Sequence, residues 1–406
     1  MKNIVVLGSG IQGMCSAFAL DQKGHSVTLV ERDDELFSRT SRNQEGRVHM
    51  GFTYGLDKSG ETGNAVMNNS LNFSKLLDNW LGKINWSRYL MPKGYYLVDK
   101  TSMLSTDELY SYYEKLEQTY TRYISEDPTL SYFGKRPKAI FKLLKNVPHC
   151  MASKHLDSVF LTEERIVEML FLRDLLLEKI KKTDIKIVTG VEVGQVLRES
   201  GGFSTIGRSK KSEEIFFKSD IVVNCLWNNR IKLDNTMGIT TMTEPLYRFK
   251  VGILGTVDTL IPTCSITTGV YGNISPRLDK RYAYISWHKD CMKELTTDGS
   301  TPPEWEESFS TYKTFDRNAQ WIKNTVENLV EYVPALKYFK PTMLLPGIIC
   351  TAGKTDIGDK NSKVHLRGSH MGVHEFDNYY SMDTGKFCSA PYFAKVLTDR
   401  INERES

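Results

Sequence analysis

The sequence predicts an α/β protein: a parallel, Rossmann-like sheet carrying a βαβ unit, interleaved with an α+β domain built on a mixed sheet. Three observations predict it. Within the first 31 residues an apolar run, a glycine-rich turn, a helical stretch and a second apolar run follow one another. Further stretches rich in β-branched residues, near 185–193 and 219–225, read as strands. Between them, aromatic and β-branched strand patterns alternate with long helical stretches.

The N-terminal unit comes first. Ile4-Val5-Val6-Leu7 is a continuous apolar run, as a parallel strand buried on both faces requires. Gly8-Ser9-Gly10-Ile11-Gln12-Gly13 follows at once and matches G-x-G-x-x-G. A helix is predicted over 14–23 with Gly24 as its C-cap, then a strand over 27–30 ending on Glu31. Each part suits a dinucleotide. Gly8 permits the tight turn, Gly10 lets backbone approach a pyrophosphate, and Gly13 allows close packing of helix on strand. The helix N-terminus, at Ile11 and Gln12, offers unpaired N–H groups to the phosphates. Glu31 stands 23 positions after Gly8, near the spacing at which a carboxylate accepts ribose hydroxyls. An acid there favours a free ribose over a 2′-phosphate, and the adjoining Arg32 is assigned to the same site.

Composition narrows the function classes. A chain of 406 residues, 40% hydrophobic and 25% charged, is long enough for two cores. Its net charge of +4 gives no reason to expect nucleic acid. The densest basic runs, 179–182 and 208–211, fall at a helix end and a predicted hairpin turn, where solvated faces explain them. Seven dispersed cysteines without a CxxC pair argue for a reducing compartment and against a disulfide framework or a zinc site. No metal is expected. No window reaches the roughly 18 apolar residues of a membrane span, and no convincing signal-cleavage site follows the N-terminal run, so the expected location is cytoplasmic.

Beyond Glu31, the stretch Arg39-Thr40-Ser41-Arg42-Asn43-Gln44-Glu45-Gly46-Arg47-Val48-His49-Met50-Gly51-Phe52-Thr53-Tyr54 resembles the second signature segment of the D-amino-acid oxidase (DAO) superfamily of FAD-dependent oxidoreductases. In that group a small or hydroxyl-bearing stretch, here Thr40 and Ser41, leads to a His-x-Gly-x-x-Tyr pattern, clearest in the hydroxy-acid and glycerol-phosphate dehydrogenase branches. Three further segments fit. A predicted amphipathic helix over 165–181, with Ile166, Met169, Leu170 and Leu176 apolar, leads into the 185–193 strand, where the resemblance implies adenine contacts at Val193. Residues 219–225 resemble the family strand Ala-Asp-x-Val-Val-x-Ala, but Leu226-Trp227 follows where the family has a small residue and glycine. Residues 380–391 resemble the Gly-Lys-x-Thr turn, with Cys388 in place of threonine. The resemblance implies that Thr384, Gly385 and Lys386 sit against the flavin and that the following helix opens on this turn, stabilising reduced flavin with its dipole. Non-covalently held FAD is the expected cofactor.

On this reading residues 1–85, 150–230 and 340–406 form the FAD-binding domain, and 86–149 with 231–339 the substrate-binding domain. Strands are predicted over 94–98, 246–254 and 281–287, and mainly helix over 107–126 and 303–338. Tyr110, Tyr112, Tyr113, Tyr120 and Tyr123 read as an aromatic helix face packed on a sheet. His49 is the candidate catalytic base, since the matching histidine of the hydroxy-acid branch lies by the isoalloxazine and a near-neutral imidazole can take a hydroxyl proton; a structural role is the alternative. Tyr54 shares its loop. Arg248, Arg281 and Arg367 are candidate clamps for a substrate anion. His370 and His374 do not read as a metal pair, because Gly372 breaks the helix their spacing needs. The expected function is a FAD-dependent oxidase or dehydrogenase removing a hydride from a CH–OH or CH–NH carbon of a small polar metabolite. A flavin monooxygenase, an NAD-linked dehydrogenase and a dinucleotide-binding protein without turnover remain alternatives, and the electron acceptor, oxygen or a redox partner, stays open.

Overall fold

The computed structural model describes residues 1–312 and 315–404; Lys313 and Thr314 of the predicted 303–338 stretch, and Glu405 and Ser406, lie outside the described residues. Two sheets organise the molecule. The first has six strands in the order Gly372–Phe376, Tyr379–Asp383, Ile221–Asn224, Asn3–Leu7, Ser26–Val30, Lys186–Val188. All neighbours are parallel except the edge hairpin of Gly372–Phe376 with Tyr379–Asp383. Asn3–Leu7 sits centrally and is buried from Ile4 onward, which is why it reads as uninterrupted apolar sequence.

The helix Ile11–Gln22 crosses from the first strand to the second and ends in a Schellman motif. Gly24 takes φ +81°, its N–H bonds to Asp21, and His25 N–H reaches Leu20. The C-terminal helix Ala390–Glu403 and the helix Glu61–Leu81 pack beside it over the main core.

The second sheet has nine strands. Along Met292–Thr296, Pro245–Thr256, Tyr282–Trp287, Gly272–Pro276, Cys264–Ile266, Tyr95–Asp99, Leu156–Thr162 and Phe141–Leu143 every neighbour is antiparallel except Cys264–Ile266 with Tyr95–Asp99; Lys340–Ala352 also pairs with Pro245–Thr256. The mixed sheet expected of the second domain is present. Two of its strands, Leu156–Thr162 and Lys340–Ala352, come from segments assigned by sequence to the FAD domain. Alternating apolar residues mark a strand without saying which sheet it joins, so those boundaries could not be read locally.

Two other expectations are corrected. The helix predicted over 165–181 is Met169–Ile180, and Leu170 on it is half exposed. Arg165–Ile166 instead pairs with Arg47–Val48, and Val167 and Glu168 donate to Gly46 and Tyr89, so long-range bonds claim the backbone that a longer helix would use. The C-terminal helix does not open on the Gly385 turn: the 3-10 turn Phe387–Ser389 intervenes before Ala390. The tyrosines behave as a packed face. Tyr113 and Tyr120 of Thr106–Glu126 are buried, and Tyr113 meets Phe52, Phe141 and Phe160 edge-on, while Tyr110 is exposed.

Candidate active site

One long cleft runs between the two sheets, from Glu31 and Val193 past Gly10 and Ser41 to His49, Lys250 and Lys386. At its outer end the glycine motif is built as the spacing requires. Gly8 has φ +89°, and its N–H bonds to Val30. A Cβ on Gly13 would lie 1.8 Å from the Gly8 carbonyl oxygen, so the helix can lie this close to the strand only without a side chain there. One Glu31 oxygen accepts from Ser9 N–H at 2.8 Å and Ser9 Oγ at 2.6 Å; the other accepts from Asp33 N–H at 3.0 Å. These bonds fix the carboxylate facing the cleft and leave lone pairs for ribose hydroxyls. Ser41 Oγ accepts from Ile11 N–H at 3.0 Å, and a Cβ on Gly10 would stand 3.1 Å from that oxygen. Thr40 accepts from Ile348 N–H, tying the motif region to the second sheet.

Arg32 and Arg39 both pair with Glu306 of the helix Pro303–Thr311, which Asn228 also contacts. Arg32 thus lines the cleft but has its charge engaged across the domains. Leu226 and Trp227, the departure from the family pattern, also line the cleft. Trp227 has φ +55°, a left-handed backbone natural to glycine, and its indole N–H donates to the Ile348 carbonyl at 2.7 Å. The bulky residue therefore keeps the glycine-like backbone and adds a bond to the facing sheet.

The inner end is a charged chamber. Glu164, fully buried, accepts from Met50 N–H at 2.7 Å and from the Tyr96 hydroxyl, and its Oε1 lies 3.4 Å from His49 Nδ1 and 3.6 Å from Arg47 Nη1. His49 and Arg47 hold its carboxyl below the ordinary range against the opposing effect of burial. Burial, aided by Lys386, lowers the His49 pKa against the pull of Glu164. Nδ1 is the ring atom nearest Glu164, and a proton kept there leaves Nε2 as the basic atom. Glu45 meets Arg47 Nε at 3.1 Å and is held at about 2, burial being outweighed by Arg47 and His49.

Beside the chamber, Asp356 joins Arg248 Nη1, 3.0 Å away, to His288 Nε2, 2.6 Å away. Arg248 is 2% exposed, yet its Nε and Nη2 have no hydrogen-bond partner among the described residues. Those two N–H groups form the flat side edge of a guanidinium, the edge that grips a carboxylate with two parallel bonds. Arg367 stands nearby, donating to the carbonyls of Gly385 and Val364 rather than to an acid. Burial and Arg367 push Arg248 down to about 10, and push the Lys386 amine down to about 7. The carboxylates beside these cations, Asp356 for Arg248 and Glu45 for Lys386, only partly offset that repulsion.

The cleft is lined by most of the residues expected to hold cofactor: Gly8, Gly10, Ile11, Gln12, Glu31, Arg32, Thr40, Ser41, Val193, Thr384, Gly385 and Lys386. Gly13 acts by packing. Thr384 donates to Gln12 Oε1, and Gln12 donates to the Ala390 carbonyl, so these two also lock the motif helix to the C-terminal helix. His49 and Arg367 line the cleft; Arg248 is not among the lining residues but stands two positions before Lys250, which is. Tyr54 is buried behind, with its ring 5.6 Å from Lys386 Nζ. Arg281 is not part of the site: it is exposed and pairs with Asp279 on the turn before Tyr282–Trp287. His374 Nε2 bonds the His370 carbonyl in a local contact. Sequence reasoning missed Glu164, Arg47, Lys250, Asn273 and Asp356. For Lys250 a signal existed, the polar alternation Arg248-x-Lys250-x-Gly252 within an apolar strand; Glu164 gave none, because only tertiary pairing brings it to His49.

The family model "DAO: FAD dependent oxidoreductase" matches residues 3–400. The curated relatives include D-amino acid dehydrogenases of Vibrio atlanticus, 36% identical over 50 residues, and Vibrio cholerae, 40% identical over 53 residues. Those segments are 12% and 13% of this chain, and the chain spans only 12% and 13% of those relatives' length. Among solved structures, glycine oxidase from Geobacillus kaustophilus superposes with TM-score 0.70 at 13% identity, covering 99% of this chain and 95% of that one. L-proline dehydrogenase from P. horikoshii gives 0.65 at 16% identity, covering 99% and 93%. FAD-bound L-alpha-glycerophosphate oxidase from Mycoplasma pneumoniae gives 0.64 at 12% identity, covering 99% and 94%. At such identities the likeness is one of fold.

Proposed function

The chain belongs to the DAO family of FAD-dependent oxidoreductases, and from that premise we propose that it oxidises a CH–OH carbon of a small metabolite bearing a carboxylate. The cleft fits the cofactor. The glycine cradle and Ser41 suit the pyrophosphate, Glu31 the ribose, Val193 the adenine end, and the Thr384-Gly385-Lys386 turn the ring system. FAD bound there would supply a two-electron acceptor.

The observation that carries the reading is the unpaired edge of Arg248, buried beside Arg367 and Lys386. A carboxylate seated there satisfies two orphaned donors and relieves the repulsion among the cations. The same charges oppose an ammonium group, which favours an alcohol over an amine as the reacting centre. Oxidation of CH–OH to C=O releases two electrons and two protons; neutral His49, oriented by Glu164, is placed to take the hydroxyl proton. Seven unpaired cysteines, six of them buried, support a cytoplasmic setting.

The test is direct. Purified protein should show flavin absorbance, release it on denaturation, and bleach under anaerobic conditions with a 2-hydroxy acid. Bleaching only with amino acids would overturn the CH–OH assignment. Oxygen consumption during turnover then separates an oxidase from a dehydrogenase.

A further inference from the structure

The face of the nine-stranded sheet that walls the chamber has a chemistry that an anion clamp and a flavin leave unexplained. Along Pro245–Thr256 the side chains alternate. Phe249, Val251 and Ile253 enter the second core, while Lys250 and Gly252 line the cleft. The register carries that division across the neighbouring strands: Leu254 faces Tyr284, Tyr284 faces Ser275, Ser286 faces Asn273, and Asn273 faces Ser265. Ile285, Ile274 and Ile266 fall on the core side. The cleft side is thus built from Lys250, Tyr284, Ser286, Asn273, Ser275 and Ser265.

A sheet ordinarily turns such a face to bulk water. Here it is shut in: Ser265, Ser275 and Ser286 are 4%, 0% and 1% exposed. Buried hydroxyls are unfavourable unless something bonds to them, so a polar wall enclosed with the reactive end of a cleft implies a polar occupant. Part of the wall is already committed in a way that shapes the remainder. Ser265 Oγ lies 3.0 Å from Asn273 Oδ1, leaving the two amide N–H donors of Asn273, which lines the cleft. Ser275 Oγ donates to Glu45 Oε2 at 3.3 Å, fixing a carboxylate that can accept from a ligand hydroxyl. Gly252 leaves space for the Tyr284 ring, whose Cε2 would be 2.2 Å from a Cβ there.

We propose that the substrate is a polyhydroxylated carboxylate, the chemistry of a sugar acid, with its carboxylate on the free edge of Arg248 and its hydroxyls along the Lys250, Asn273 and Glu45 wall. The assignment rests on the CH–OH reading above and sharpens it. A plain alkyl or aryl side chain would leave the wall's donors and acceptors unpaired, the situation in which sites built for hydroxyls reject analogues lacking them most strongly.

The experiment uses the FAD-loaded enzyme under anaerobic conditions with D-gluconate, D-galacturonate, L-lactate, glycerol 3-phosphate, D-glucose and D-alanine. Binding is followed by perturbation of the flavin spectrum, and turnover by bleaching. A sugar acid should bind at least tenfold more tightly than lactate and glucose, and should bleach the flavin. In Asn273→Leu, or in Ser275→Ala should the first fail to fold, the preference for sugar acid over lactate should fall at least tenfold. Equal or better binding of lactate or D-alanine overturns the proposal; lactate bleaching as fast as any sugar acid does so while leaving the CH–OH reading standing. Preferred binding of glycerol 3-phosphate also overturns it. Tight binding of a sugar acid without bleaching overturns it too, since a ligand that leaves the flavin oxidised is not the substrate.

Discussion

At the scale of single residues the proposed site turns on charges that an incoming anion would complete. Arg248 donates to Asp356 with one terminal nitrogen and holds its side edge free. Arg248→Lys keeps a charge but loses two parallel donors, so the dissociation constant for an unreactive carboxylate should rise roughly ten- to a hundredfold, about 1.5–3 kcal/mol. Titration calorimetry measures it, and an unchanged constant would remove Arg248 from the binding role. Lys386 gives a pH signature. Its amine sits at about 7 through burial and the nearby arginines, and a bound anion raises that value. Affinity is therefore full below about pH 7 and falls as the pH rises through it, by up to tenfold per unit until the bound-state value is passed. Lys386→Met should abolish that slope between about pH 7 and 9; a slope that persists assigns it elsewhere. Little of this chamber was legible. His49 stood out by motif; Arg248 and Arg367 were named only by residue type, together with the exposed Arg281, and Glu164, beside His49, lies more than a hundred residues away and carries no local mark.

At the scale of elements the N-terminal unit was legible because its chemistry is local. The requirements of the turn, from the positive φ of Gly8 and its bond to Val30 to the Schellman end at Gly24, are met within one βαβ unit. Gly13→Ala tests the tightest of them. Its new Cβ would be 1.8 Å from the Gly8 carbonyl oxygen, so strand and helix must part. A loss of about 1–3 kcal/mol is expected, with a lowered flavin-to-protein ratio. A variant with normal melting and full flavin content would show that the contact is relieved by a small shift. Elements bounded by long-range partners read less well. Arg165–Ile166 looked helical and is strand because Arg47–Val48 lies beside it, and the C-terminal helix starts after an extra 3-10 turn.

At the scale of the whole molecule, the cleft is the seam between the sheets, closed by Arg32 and Arg39 on Glu306, Thr40 on Ile348, and Trp227 on the Ile348 carbonyl. A cofactor filling that seam binds the folded state alone. FAD at a hundred times its dissociation constant should therefore add about 2.7 kcal/mol to stability in denaturant unfolding. No gain would mean that the dinucleotide does not occupy the seam.

The sequence by itself determined the fold class, the dinucleotide motif and the cofactor, because each depends on neighbours along the chain or on short segments with fixed chemistry. Only the tertiary structure decided which sheet Leu156–Thr162 and Lys340–Ala352 join, that Arg281 is exposed, and that Arg248 keeps an unpaired edge. The physical reason is that strand pairing, burial and mutual repulsion of charges are properties of residues distant in sequence, and no local pattern encodes which of them will meet.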